Sequence, residues 1–431
     1  MHVDANSSGH FMNPSAGIVR SVRASVLGVA VTLAPFVSAT AQKPIPVRSL
    51  TAAVSSDSGV FTAIGPVRAL AAGGVLVGDF WKRRVILFDS TLSKFSVVLD
   101  NNGTAGGRYG DRPAQLFPFL GDSTVFVDLS AQALLVIAPN GTVARVMALP
   151  NARDLNAVNN PSGTPGFDLK GRMIYRSIRS TRRVSNEELM SHDSGTITME
   201  PVVDSAPILR ADPESRTTDT IGMLKIAASR TGWYSLRRGI AGITLLNPLQ
   251  FGDEWTVLAD GTVAVVRSVD YHIDWIHPDG TTTSTPKMPF DWRRITQEDK
   301  VRMLDSIVKF AEDLAAHPPP GEEVYKPLVP YRAVEPEDLP DFYPPVRPDQ
   351  VKADPDGNVW ILPTTSKLST PSSPGLVYDV VNRAGEIVER VRLPENRVLA
   401  AIGPGGVVYM KYVMYTPGHS VQRIERAKVI R

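Results

Sequence analysis

The sequence predicts an all-β chain folded as a six-bladed β-propeller, and three observations predict it. A hairpin pattern, Val75-Leu76-Val77-Gly78-Asp79-Phe80-Trp81-Lys82-Arg83-Arg84-Val85-Ile86-Leu87-Phe88-Asp89, returns in layout at Val263–His277 and closes there on the turn Pro278-Asp279-Gly280. Such a hairpin cannot bury its apolar residues alone, so copies must stack around an axis. Second-strand starts recur at Val75, Val125, Met173, Val263, Val359 and Val408, in steps of 50, 48, 90, 96 and 49 residues. Finally, the last unit ends at Arg431 after a third strand, Val421–Val429, and lacks an outer strand of its own.

Each element has a local reason. Five of the six second strands follow Gly74, Gly171, Asp260-Gly261, Asp356-Gly357 or Gly405-Gly406, where glycine supplies the positive φ of a tight turn. Later punctuation at Pro139-Asn140-Gly141, Pro278-Asp279-Gly280 and Arg383-Ala384-Gly385 precedes strand-like runs such as Val143–Leu149 and Glu386–Leu393. Two of the steps exceed a 49-residue unit by 41 and 47 residues; the 302 residues left after removing them and residues 1–41 make about six units. The stretch Val47–Val54 is β-capable and can supply the missing outer strand, which removes an open edge.

Residues 1–41 read as an export signal. Arg20 and Arg23 precede an uncharged run from Ala24 to Val37, and Ala39-Thr40-Ala41 is a small-x-small cleavage pattern. The long polar stretch before Arg20 makes Met12 an alternative start. The apolar run is short for a membrane span, and no other segment approaches the roughly 20 residues required. The expected domains are therefore a signal peptide, 1–41, and a propeller, 42–431, with insertions at about 179–204 and 292–348. The expected location is the bacterial periplasm or the medium.

Composition narrows the partners. There is no cysteine among 431 residues, which excludes disulfides, thiol catalysis and a lipidated cysteine. Asn102-Gly103-Thr104 and Asn140-Gly141-Thr142 then read as turns rather than glycan sites. Without residues 1–41, which hold Arg20, Arg23 and Asp4, the chain keeps 44 basic and 43 acidic residues. With charges so balanced and no long single-sign run, nucleic acid is not an expected partner. A small-molecule or protein ligand, and a monomer, are expected.

The first hairpin resembles an NHL repeat, carried by Asp79, Arg84 and Phe88-Asp89 and by the linker Gly106-Gly107-Arg108-Tyr109-Gly110-Asp111 with Phe117-Pro118. In the fourth unit Arg267 stands where the Asp would be and His272 where the Arg would be, so the resemblance there is geometric. It implies an NHL-like propeller, a fold that hosts hydrolases, lyases, sensors and interaction modules alike.

Candidate sites lie where the repeat is broken. The first insertion, Arg179–Asp204, is polar and reads as a surface loop. Ser229–Gly242 reads as another loop, and its Trp233, Tyr234, Arg237 and Arg238 form a candidate ligand platform of aromatics interleaved with arginine. Simple packing of the two aromatics over a blade edge is the alternative. In the second insertion, Thr296 caps a helix with Asp299, and Val301, Leu304, Val308, Ala311 and Ala315 share its apolar face. His317 and Pro318-Pro319-Pro320 end it, and an extended Pro- and acid-rich run follows. That helix either packs on the propeller or serves as a lid or docking surface.

Metal chemistry finds little local support. In His272-Ile273-Asp274-Trp275-Ile276-His277, strand parity puts His272 and Asp274 on one face and His277 on the other, so no metal site is assigned there. No Gly-x-Ser-x-Gly elbow occurs. Lactonase-type propellers, which this chain resembles, hold a divalent ion with Glu, Asn and Asp at the channel mouth. Asn156, Asn159, Asn160 and Asn247 can reach such a mouth or act as turn formers. Two readings follow: a binding or interaction module, or a metal-dependent hydrolase or lyase (lactonase-like) using calcium or another divalent cation at the central channel. Convergence of three or more ligating side chains at one channel end separates them.

Overall fold

The computed structural model describes residues 44–431 apart from 58, 104–106, 111–113, 178–194, 196, 201, 228–229, 236–239, 318–328, 366–374 and 417–418. The signal-peptide segment and the alternative start at Met12 lie outside the described residues, as does most of the first insertion.

Two short strands come first, β1 (Val47–Arg48) and β2 (Val54–Ser55). The first sheet is β3 (Ile64–Ala69), β4 (Val75–Asp79), β5 (Arg84–Phe88) and β6 (Phe95–Leu99). The second is β7 (Leu116–Pro118), β8 (Thr124–Asp128), β9 (Ala133–Ile137) and β10 (Val143–Met147). A short helix, α1 (Leu155–Asn159), leads to the third sheet, β11 (Gly166–Phe167) and β12 (Met173–Arg176). Strand β13 (Ile197–Met199) interrupts that sheet before β14 (Ser205–Asp212) and β15 (Thr217–Lys225) complete it. Strand β16 (Thr231–Ser235) then pairs with β13 and with β17 (Ile240–Thr244), making a separate three-stranded sheet.

The fourth sheet is β18 (Glu254–Val257), β19 (Val263–Arg267), β20 (His272–Ile276) and β21 (Thr282–Ser284), followed by helix α2 (Gln297–Ala316). The fifth is β22 (Val346–Ala353), β23 (Val359–Pro363), β24 (Val377–Val381) and β25 (Ile387–Arg392). The sixth is β26 (Arg397–Gly403), β27 (Val407–Thr416) and β28 (His419–Lys428). All six expected second-strand starts fall within one residue of a strand start.

Period-two alternation explains how these sheets become a ring. Val75 and Val77 on β4 pack with Tyr409 and Ile424 of the sixth sheet, whereas Leu76 between them packs with Leu116 and Phe126 of the second. On β19, Val263 and Val265 face the third sheet, and Ala264 and Val266 face the fifth. A strand buried on both faces must be apolar at every position, which is why these runs lack the polar half of an alternating pattern. Among the described residues six core clusters lie between consecutive sheets, and one of them joins the sixth sheet to the first. Each fully buried Val or Leu contributes about 1.5–3 kcal/mol, so closing the ring is strongly favoured. This is a β-propeller, held without any cysteine.

The N-terminal segment does more than expected. Val54-Ser55 pairs antiparallel with β28 and completes the last sheet, as the sequence predicts. Val47-Arg48 instead joins β25 in parallel and gives the fifth sheet a fifth strand. The same stretch therefore straps two neighbouring sheets. The positive φ of the first turn falls at Gly73, φ 89°, rather than at Gly74, because Gly73 N–H donates to Leu70 O to close it.

Helix α2 forms where expected, with Thr296 and Asp299 making a reciprocal capping box and His317 at its end. Its buried face is narrower than the sequence suggests. Leu304 is buried against Val334 and Leu339, whereas Val301 is 44% exposed and Phe310 64% exposed. Lys300 anchors the same face, donating to Leu339 O and Asp341 Oδ1, both at 2.9 Å. The run after the helix is not wholly extended, since Pro336–Asp338 makes one 3-10 turn. No helix among the described residues is long and apolar enough to cross a membrane.

Candidate functional site

The six inner strands, β3, β7, β11, β18, β22 and β26, surround a central cavity of about 760 Å³. Its wall is largely apolar, with Phe80, Phe117, Phe119 and Phe167 as its aromatic members. Phe80 reaches it because of a glycine: a Cβ on Gly65 would lie 2.6 Å from the Phe80 ring, so only a bare backbone lets the ring lie there. On β26 a bulge between Leu399 and Ala401 leaves Ala400 half-exposed in the wall.

Three carboxylates line the cavity, and each is already engaged. Asp122 accepts from Arg68 and from Ala71 N–H, both at 2.8 Å. Asp168 holds Arg172 at 2.6 Å and accepts from Lys170 N–H. Asp354 accepts from the indole N–H of Trp360 and from both the backbone and the side chain of Asn358. Asp168 and Asp354 are buried and supplied with donors, whereas Asp122 is partly exposed.

Two lysines on the same wall differ from them. Lys352, on β22, and Lys411, on β27, both line the cavity, and among the described residues neither has a carboxylate within ion-pair distance. Lys411 Nζ has one long contact, 3.4 Å to Ile64 O. Burial pushes the Lys411 ammonium down to about 8, helped by repulsion from Lys352. Lys352 is also lowered by burial, with Asp349 pulling it back up.

A second cluster joins the third, fourth and fifth sheets. Glu254 is buried, and desolvation, then repulsion from Asp349, raises its carboxyl to about 8. Asp349 N–H donates to Glu254 Oε2 at 3.0 Å, and Gly163 N–H donates to Asp349 Oδ1 at 2.9 Å. Arg176 opposes the shift from the third sheet. Such a carboxyl is a proton donor at neutral pH.

The residues singled out from the sequence lie elsewhere. Trp233 and Tyr234 belong to β16, so the supposed loop Ser229–Gly242 is largely a β-hairpin with Ile240–Thr244. Tyr234 packs with Ala241, Ile243 and Val329. Arg237 and Arg238 lie outside the described residues. Of the four asparagines, none lines the cavity. Asn156 and Asn159 sit on α1 rather than in a loop, and Asn247 accepts from Leu249 N–H as a turn former. His272 and Asp274 share a face as parity requires, 3.1 Å apart, while His277 bonds Thr283. Among the described residues no group of three His, Asp or Glu is placed to hold a metal ion. No residue of α2 lines the cavity.

Sequence reasoning missed both lysines and Glu254. Lys352 stands between apolar neighbours in Val351-Lys352-Ala353 and Lys411 between Met410 and Tyr412, whereas Glu254 follows Asp253 at the start of β18. A lone charged residue between uncharged strand neighbours was the available signal for the lysines.

No protein-family model matches this chain, and no curated protein matches it. Among solved structures it is similar to virginiamycin B lyase from Staphylococcus aureus, at 9% identity and a TM-score of 0.34, covering 86% of this chain and 96% of that one. Regucalcin, a calcium-binding protein from Agrobacterium tumefaciens, is 11% identical, with a TM-score of 0.33 over 89% and 96% of the chains. A gluconolactonase from Xanthomonas campestris is 8% identical, with a TM-score of 0.35 over 90% and 99%. Likeness at this level carries no argument about activity.

Proposed function

We propose that this protein is an exported, NHL-like propeller that binds a small molecule in its central cavity. The observation that supports the reading is the cavity of about 760 Å³ bounded by all six inner strands, apolar in the main with a few polar groups. That size and lining fall within the range of small-molecule sites. Binding is tested by thermal shift of the purified protein against a panel of small organic molecules, in parallel with an Ala400→Trp variant that fills the cavity. Shifts that disappear in the variant support the site. Shifts that persist unchanged move it elsewhere, with helix α2 the next surface to test.

A hydrolase or lyase is the second reading, favoured by one observation. Glu254 holds a proton near neutral pH beside Asp349, which is the pairing an acid–base catalyst uses. A calcium-induced rise in melting temperature, together with metal found in the purified protein, would favour this reading in its metal-dependent form. Loss of both signals on substituting Glu254 would locate the site.

A further inference from the structure

The cations on the cavity wall are not all paired with its carboxylates. Asp122, Asp168 and Asp354 are engaged by Arg68, Arg172, Asn358, Trp360 and backbone N–H groups. Lys352 and Lys411 remain, on neighbouring sheets, near enough to repel one another and without a carboxylate in ion-pair contact. Two adjacent cations in an apolar wall are costly unless an anion joins them. Both lysines line the cavity and are only partly buried. Lys411 approaches Ile64 O, the residue next to Gly65, and the ring of Phe80 lies over Gly65. An aromatic ring therefore lies near Lys411.

We infer that the cavity takes an amphiphilic organic anion, its acid group held between Lys352 and Lys411 and its apolar body lying along the wall that begins at Phe80. This rests on the cavity being the binding site, and it adds the class of ligand. One acid group satisfies both ammonium groups by charge-assisted hydrogen bonds, which are stronger than neutral ones. The apolar body gains by leaving water against phenylalanine and aliphatic side chains.

The test is calorimetric titration of the purified protein with 1-naphthoate and with its neutral counterpart 1-naphthamide. The expected result is at least about tenfold tighter binding of the acid. Lys352→Met and Lys411→Met should each remove most of that preference, and the double variant all of it, with naphthamide affinity unchanged. Because the preference is a ratio within one variant, altered stability does not obscure it. Lys411→Arg should retain the preference. Equal affinity for acid and amide in the unaltered protein, both lost in Ala400→Trp, overturns the anion assignment and leaves the cavity as the binding site. A preference that survives the double lysine variant overturns the assignment to these lysines. If neither compound binds, the inference falls, while the cavity reading stands or falls by the small-molecule panel with Ala400→Trp. Sulfate binding as tightly as naphthoate would overturn the apolar half of the assignment.

Discussion

The first and fourth blades have the same backbone register and opposite chemistry. Asp79 pairs across the turn with Arg84 in the first, and Arg267 with His272 in the fourth. Asp79 is fully buried and accepts from Thr62 N–H, Thr62 Oγ1–H and Ala63 N–H, with Arg84 at 3.4 Å. Thr62 and Ala63 lead into the inner strand β3. In the fourth blade Arg267 donates to Asp253 and to Asp274, each at 2.7 Å. Asp253 directly precedes the inner strand β18 and also accepts from Lys225 and Ser268 N–H. Both devices tie the end of the second strand to the loop entering the inner strand. What repeats is the tie, and either sign of charge can make it.

The largest expected effect is at Asp79. Asp79→Ala leaves buried donors unpaired and Arg84 without its carboxylate, so a loss of about 3–5 kcal/mol is expected in urea denaturation. Arg267→Met should cost less, about 2–4 kcal/mol, because Asp274 keeps His272 and Ser284 as partners. Adding Asp253→Asn to that variant should recover part of the loss, measured as a double-mutant cycle. An Arg267→Met protein as stable as the unaltered one would break the equivalence of the two ties.

Packing sharpens the same comparison at smaller cost. Gly78 stands where the fourth blade has Val266, and a Cβ on Gly78 would lie 2.9 Å from Pro66 Cδ. Gly78→Val should therefore cost about 1–3 kcal/mol by overpacking, read from the same denaturation curves. The fourth blade tolerates valine at that register because it has no proline opposite, Trp255 and Glu254 filling the inner strand there.

A slope in pH is expected as well, from Glu254 on the fourth blade and Lys411 on the sixth. Glu254 retains its proton in the folded chain up to about 8, from an ordinary value of 4.5. Between those values the unfolded chain binds fewer protons than the folded one, so stability falls as pH rises. Lys411 loses its proton at about 8 in the folded chain against 10.5 ordinarily, so above that pH stability rises. Each contributes a slope of at most about 1.4 kcal/mol per pH unit. Melting curves across pH should show Glu254→Gln flattening the acid side relative to the unaltered protein, and Lys411→Met flattening the alkaline side.

Alternating and continuous apolar runs, turn glycines and a capping pair are local signals, and they determined the second strands and helix α2, because hairpins and caps are made by residues near one another in the chain. The outer strand supplied by Val54-Ser55 was legible for another reason, the missing strand of the last unit. The strap of Val47-Arg48 onto the fifth sheet, the separate sheet of β13, β16 and β17, and the cavity were decided only by tertiary structure. Lys352 and Lys411 come from different sheets, and Glu254 meets Asp349 across another boundary. Side chains reach a propeller axis from several sheets, far apart in sequence, so no spacing records their meeting. Trp233 and Tyr234 attracted notice because they stand together in the sequence, yet adjacent strand residues face opposite sides, and Tyr234 went to packing.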